Sequence, residues 1–220
     1  MIAMTAHDLA AALPDIAALR DRCRALAVLD AVLDPGSDLP YYGYDAAWGP
    51  GVELASMDNG SGDNWSIVFA KTGALLRGFD HESPMSPAVN DDVWPGVIDT
   101  VPAVFAEHLE EPAFQFDGSF AATVCLWRQA GDDRWHAGPI SFPEGADPDG
   151  ARWMFRMLTE PAPAAYLRFA QDYYEREIDA AAVADVYALR PLTDGTVRRL
   201  NPEVSLAELA PDLAAIGYPG

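Results

Sequence analysis

The chain has 220 residues, 50% hydrophobic and 22% charged, so it can bury a sizeable core in one domain and is unlike a disordered polypeptide. Its 34 acidic and 14 basic residues give a formal charge of -20 and a pI near 4.2, a surface that repels phosphate backbones and argues against nucleic acid as a ligand. Two widely separated cysteines, Cys23 and Cys125, exclude a disulfide framework and a CxxC zinc or redox motif.

No run approaches the roughly 20 uncharged apolar residues that span a bilayer, and the first residues lack the basic leader of a secretion signal. A cytoplasmic protein with no membrane association is the expectation. From the N-terminus, Thr5 and Asp8 are spaced as a capping box for a short helix. Pro14 then opens a second helix over residues 15–33, where Ile16, Leu19, Cys23, Leu26, Leu29 and Leu33 recur at three and four as one apolar stripe. Arg20, Arg22 and Arg24 fall on its other side and read as a solvated face. Residues 34–51 are dense in Pro, Gly and Tyr and read as an irregular connector. Its Tyr41, Tyr42, Tyr44 and Trp48 would cover the sheet edge.

The stretch 55–87 reads as three strands and two tight turns. Asn59, Gly60, Ser61, Gly62 and Asp63 reverse the chain cheaply, WSIVFA over 65–70 is aromatic and β-branched, and Lys71 to Gly73 turns it again before ALLRGF at 74–79. Reversals this close permit only antiparallel pairing, because parallel neighbours need a crossover of about a dozen residues or more. A short helix around 101–107 and a hairpin over 121–138 follow, with Trp127 and Trp135 as a candidate cross-strand pair. Helices are expected in 151–160 and, as two or one bent, to about 188, with Leu167, Ala170, Tyr174 and Ile178 turned inward. Ser205 and Glu208 form a second capping box before a final helix, and Arg198 and Arg199 should pair with the chain's own carboxylates. The fold class is therefore α+β, one domain over 1–220. N-terminal helices occupy 1–35, an antiparallel sheet of roughly four to six strands, meander plus hairpin, occupies 52–140, and C-terminal helices occupy 150–220.

Chemistry concentrates at Asp80, His81 and Glu82. Alternation along a strand would place the two carboxylates on one face and the imidazole on the other, so all three converge only if Gly78 or Pro84 breaks the strand. Asp91, Asp92 and Trp94 could rim the same pocket, and His108 or His136 could approach His81. Known motifs are absent. NGSGD lacks the flanking glycines of a nucleophile elbow, HESP fails as a zinc-binding HExxH, the acidic turn lacks EF-hand spacing, and no Rossmann or P-loop glycines follow a strand. No cofactor and no metal are expected.

The string NGSGD, an apolar strand, GFDHESPMSP and then WPG resembles a motif set of uncharacterised bacterial proteins. In its first half the layout, an N-terminal helix followed by a glycine-punctuated meander, resembles the SUKH superfamily of toxin-immunity proteins. That resemblance implies an acidic, non-enzymatic module binding a basic protein partner, and it transfers no functional residue. On the residues themselves the binding set is Asp63, Asp80, His81, Glu82 and Trp94. The alternative is a small-molecule hydrolase with His81 as base, oriented by Asp80 or Glu82; a third, structural reading has Asp80 and Glu82 cap the next turn and His81 bond a loop carbonyl, with no site at all.

Overall fold

The computed structural model describes residues 4–160 and 163–218, so the outer ends of the expected terminal helical regions, and 161–162 within the second, lie outside the described residues. Helix α1 (Ala6–Ala12) starts at the expected capping box, with Asp8 Oδ2 accepting from both the amide and the hydroxyl of Thr5 at 2.9 Å. Helix α2 (Ile16–Leu33) is capped by Asp15, whose carboxylate accepts the Ala18 amide at 2.8 Å. Strands β1 (Tyr42–Gly49), β2 (Val52–Asp58), β3 (Asn64–Ala70) and β4 (Gly73–Phe79) follow as consecutive hairpins.

An inserted layer then carries α3 (Pro87–Asn90), a 3-10 turn at Ala103–Phe105 running into α4 (Ala106–Leu109), a second at Pro112–Phe114, and the small ribbon β5 (Gln115–Phe116) and β6 (Ser119–Phe120). The chain re-enters the sheet as β7 (Val124–Gln129) and β8 (His136–Ala137). It closes with α5 (Ala151–Met154), α6 (Arg156–Thr159), α7 (Ala164–Tyr174), α8 (Ala180–Tyr187), α9 (Asp194–Leu200) and α10 (Ala210–Ile216).

The main sheet has strand order β1-β2-β3-β4-β7-β8, antiparallel throughout, so the expected meander plus hairpin forms one six-stranded sheet in an α+β domain. Its register sorts side chains into two faces. One face carries Tyr42, Ala55, Met57, Trp65, Ile67, Phe69 and Leu76. It meets α2 and the C-terminal helices: Trp65 stacks on Phe155 and donates its indole N–H to Met154 O at 3.1 Å, and Tyr42 packs edge-on to Phe169. The opposite face carries Ser66, Val68, Leu75, Arg77, Phe79 and Cys125. The inserted layer covers it, with Phe114 under the Arg77 guanidinium and Phe116 against Phe79. Sandwiched on both sides, β4 is buried at every position.

Several expectations are corrected. The 34–51 stretch is not a connector throughout, because its tyrosines alternate as edge strand β1, with Tyr42 and Tyr44 buried and Trp48 stacked on Phe114. The α2 arginines are not a solvated face. Arg20 and Arg24 converge on Glu53 of β2 at 3.4 and 2.7 Å, Tyr44 also donates to that carboxylate, and Arg22 donates to Leu158 O. Trp127 lies opposite His136, while Trp135 donates to Pro14 O at 2.7 Å. Ser205 and Glu208 bond as expected but close only a turn, the last helix beginning at Ala210, and α9, capped by Thr193, precedes that turn within the expected C-terminal helical region. Arg199 pairs with Asp179 and Asp185 as expected. Among the described residues no helix is long and apolar enough to cross a membrane.

The half-buried clasp on Glu53 and the buried carboxyls of Asp30 and Asp149 each set an expected outcome. Replacing Glu53 by Gln leaves two guanidinium groups facing a neutral amide and should cost about 1 to 2 kcal/mol in urea unfolding; an unchanged midpoint contradicts the clasp. Asp30, whose carboxylate accepts the Tyr174 hydroxyl at 2.8 Å, and Asp149, which accepts the amides of Ala6 and Ala151, are both raised to about 6, by burial above all. Each takes up a proton on folding between its unfolded value and about 6, so the stability it contributes is fullest in acid and is lost as pH rises through about 6. Thermal midpoints should therefore be higher near roughly pH 5.5 than near 7.5, and Asp30→Asn should flatten that slope; a fall toward pH 5.5 contradicts the assignment.

Candidate functional site

The β2–β3 turn and the end of β4 together build the site. Asn59 Oδ1 accepts the amides of Ser61 at 2.8 Å and Asp63 at 3.2 Å, and the Asn59 side-chain amide donates to Asp63 Oδ2 at 2.8 Å. The loop thereby holds the Asp63 carboxylate with one oxygen free. Oδ1 accepts the His81 amide at 2.9 Å and the ring Nδ1–H at 2.6 Å; a carboxylate only accepts, so the proton on this nitrogen belongs to the imidazole. Gly62 makes the contact possible twice over. It sits at φ 105°, in the left-handed region, and a Cβ there would stand 3.3 Å from the His81 ring.

The hydrogen bond to Asp63 raises the His81 pKa above its usual value against an opposing effect of desolvation, with the charges of Asp63, Glu82 and Asp80 adding to the rise. Burial alone would raise the Asp63 carboxyl, but the bonds from the His81 ring, the His81 amide and Asn59 together hold it below its usual value. When the imidazole is protonated the two groups form an ion pair at the rim of the sheet, the carboxylate buried and the imidazole 38% exposed.

The chain does break after β4, and the break separates the expected cluster. Asp80 turns back: Oδ1 accepts the amides of Glu82 at 3.1 Å and Ser83 at 3.0 Å, and Oδ2 accepts the Trp153 indole N–H at 3.0 Å. Gly150, at φ 74°, leaves the space for it, since a Cβ there would meet that carboxylate at 2.5 Å. Ser83 donates to Pro148 O and Thr123 to Asp149 O, both at 2.7 Å, so both ends of the inserted layer are tied to the loop before α5. Glu82 is exposed. Trp94 donates to Ser141 O at 3.0 Å, away from the pair. His108 lies beside Trp48, and His136 pairs with Asp132 at 3.4 Å, so neither joins His81. The orienting carboxylate is accordingly Asp63 and not Asp80 or Glu82. Among the described residues no group of three or more His, Cys, Asp or Glu is placed to hold a metal.

Beside the pair lies a cavity of about 340 Å³ between the sheet and the inserted layer. Asn64, Arg77, His81 and Gln115 form its polar wall, the Gln115 amide N–H donating to Leu109 O and Glu111 O; Gly62, Phe79, Phe116 and alanines of the layer form the rest. Arg77 was not singled out in the sequence, although it is the one charge in an apolar strand. Only 5% exposed, it donates to Ala121 O at 3.0 Å and Ser66 Oγ at 3.2 Å and lies 4.7 Å from the Phe114 ring centre. Burial pulls its pKa down to about 10, which leaves it charged at neutral pH. Its Nε, and Oδ1 of Asn64, are buried without a hydrogen-bond partner.

The outer surface of the same layer is one-sided in charge. Residues 78–127 contain nine Asp and Glu and no Lys or Arg. Glu82, Asp91, Asp92, Asp99, Glu107, Glu110 and Asp117 among them are exposed. Of the five large hydrophobic side chains exposed among the described residues, Val89, Val104 and Phe116 also lie here. A recess of about 150 Å³ brings Asp91, Asp117 and Phe116 together over Pro87 and Ser119.

No protein-family description, curated protein or solved structure matches the chain.

The geometry of the pair fixes its titration. The contribution of charged His81 is full below the unfolded histidine value and is lost as pH rises through the raised folded value. Asp63→Asn should bring the His81 titration, followed by NMR, down from above its usual value; superimposable curves for the two proteins contradict the assigned bond.

Proposed function

We propose that the chain is a non-enzymatic, immunity-like binding protein of the cytoplasm, and that the outer surface of its inserted layer holds a basic protein partner rather than nucleic acid. One observation carries this reading: over fifty consecutive residues, 78–127, the chain displays exposed acids and exposed apolar side chains with no Lys or Arg among them. Negative potential on such a patch steers a cationic partner and speeds its approach, and apolar anchors among the acids supply area once it docks. The recess of Asp91, Phe116 and Asp117 suits a lysine or arginine side chain, two carboxylates facing the charge and a ring its stem. Both aspartates hold left-handed backbone, φ 60° and 47°, conformations that cost about 1 kcal/mol or more and gather at functional sites. The layout resemblance to toxin-immunity proteins points the same way, and the two buried free thiols suit a reducing compartment.

The contact set changes from that expected from the sequence. Asp63 and Asp80 are committed to His81 and Trp153, and Trp94 to Ser141, which leaves Glu82 with Asp91, Asp92, Phe116 and Asp117 as the surface presented. The hydrolase alternative finds its histidine and carboxylate in His81 and Asp63, but among the described residues no hydroxyl or thiol bonds to the ring as nucleophile. It ranks second.

A hexa-arginine peptide tests the surface by NMR titration. Shifts should centre on Asp91, Phe116 and Asp117 and weaken several-fold on raising salt from about 50 to about 200 mM. Asp117→Lys should weaken binding about fivefold or more, while Asp172→Lys on α7 leaves it unchanged. Equal loss from both variants, or shifts spread evenly over the acidic surface, contradicts the proposal.

A further inference from the structure

We propose that the cavity between β3, β4 and the inserted layer is a binding site for a small carboxylic acid. Its carboxylate would be held by Arg77 with His81 at the rim, and its apolar body by Phe79 and Phe116. This goes beyond the protein-binding surface, with which the cavity shares only Phe116 and Ala88 at the edge of the layer.

Arg77 is a buried charge with no carboxylate in ion-pair contact among the described residues, Asp58 acting on it only from further away. Burying an ionised group is costly unless a partner of opposite sign comes with it, and this chain has 34 carboxyl groups from which to supply one. Among the described residues none forms an ion pair with Arg77. A guanidinium has five N–H donors, and two hydrogen bonds to neutral oxygens occupy only part of that set. Nε is left unbonded in a residue 5% exposed that forms part of a cavity wall. The cavity volume, about 340 Å³, lies within the range of small-molecule sites, and its lining has their character, mostly apolar with a few convergent polar groups.

The chemistry of the wall narrows the ligand. One guanidinium, with an imidazole already paired to Asp63, matches a planar, singly charged group better than a dianionic phosphate, which would call for more cations. Asn64 Oδ1 is an acceptor without a donor, so a hydroxyl or N–H on the ligand would complete it. Phe79, Phe116 and the alanines suit a ring or short hydrocarbon body. The acids on the outer surface do not forbid an anion here. They are exposed and screened over about 8 to 10 Å of salt solution, whereas Arg77 acts from inside, where charge interactions are stronger.

The test is an NMR titration of the full chain with acetate, benzoate and 4-hydroxybenzoate, with 4-hydroxybenzamide as the uncharged counterpart. The expected result is saturable binding of at least one acid, with shifts at Gly62, Asn64, His81 and the Arg77 Nε–H, and at least tenfold weaker binding of the amide. 4-Hydroxybenzoate should outbind benzoate, and Asn64→Ala should remove that advantage. Arg77→Lys should abolish binding; should that variant not fold, Phe116→Trp, which fills the cavity from the layer side, should weaken the acid at least fivefold in a folded protein. No saturable binding of any of the three acids, or an amide that binds as well as its acid, overturns the proposal and leaves Arg77 a structural residue held by Phe114 and two neutral acceptors.

Discussion

A β-strand with no solvent face is the constraint on which this structure turns. β4 lies between β3 and β7 and is covered on one side by α2 and the C-terminal helices and on the other by the inserted layer, so all seven of its residues are buried. An antiparallel sheet ordinarily keeps one face wet and alternates apolar with polar residues. Here ALLRGF alternates nowhere, and its single charge must be accommodated in the interior. The register then puts Ser66 and Cys125 on either side of Arg77, and the layer supplies Phe114 and Ala121 from above. Covering the second face buries apolar area and, in the same step, encloses a guanidinium and leaves a solvent-open cavity beside it.

The layer is held less by its own secondary structure than by bonds at its two ends. Its helices are one turn long and its ribbon has two residues a side, elements too short to be stable in isolation. Ser83 and Thr123 fasten both ends to the loop at Pro148 and Asp149, Asp80 adds a bond from Trp153 of α5, and the Asp149 carboxylate in turn accepts the first amide of α1. Asp149 thus joins α1 and α5 through its buried carboxylate, and the end of the layer through its backbone carbonyl. Between these fixed ends the layer is free to display side chains that no core requires, which is where its acids and exposed apolar residues lie.

Much of the architecture was legible because local signals agreed with it. Thr5 with Asp8, Asp15 ahead of Ile16, and the Asn59 to Asp63 reversal act through neighbouring residues, and each forms as its chemistry dictates. What escaped were features decided at long range. β1 hid among prolines and glycines because its pattern is the alternation of Tyr42 and Tyr44 facing α2, and the α2 arginines looked solvated until Glu53 arrived from another strand. The site was half legible. His81 and a carboxylate do pair, but the partner is Asp63, eighteen residues away in sequence, because the turn after Phe79 directs Asp80 to Trp153 instead. Arg77 was overlooked because an arginine in a strand reads as an outward-facing residue unless both faces are known to be covered.

Native-state amide hydrogen exchange tests the central claim, two-sided burial of β4 beneath a bonded layer, most directly. Amides of Leu75, Arg77 and Phe79 should exchange only through global unfolding, as slowly as those of Ile67 in β3. Exchange of β4 at the rate of the edge strand β1, with the β3 amides still protected, would mean that the layer does not seal the sheet, and would contradict the account.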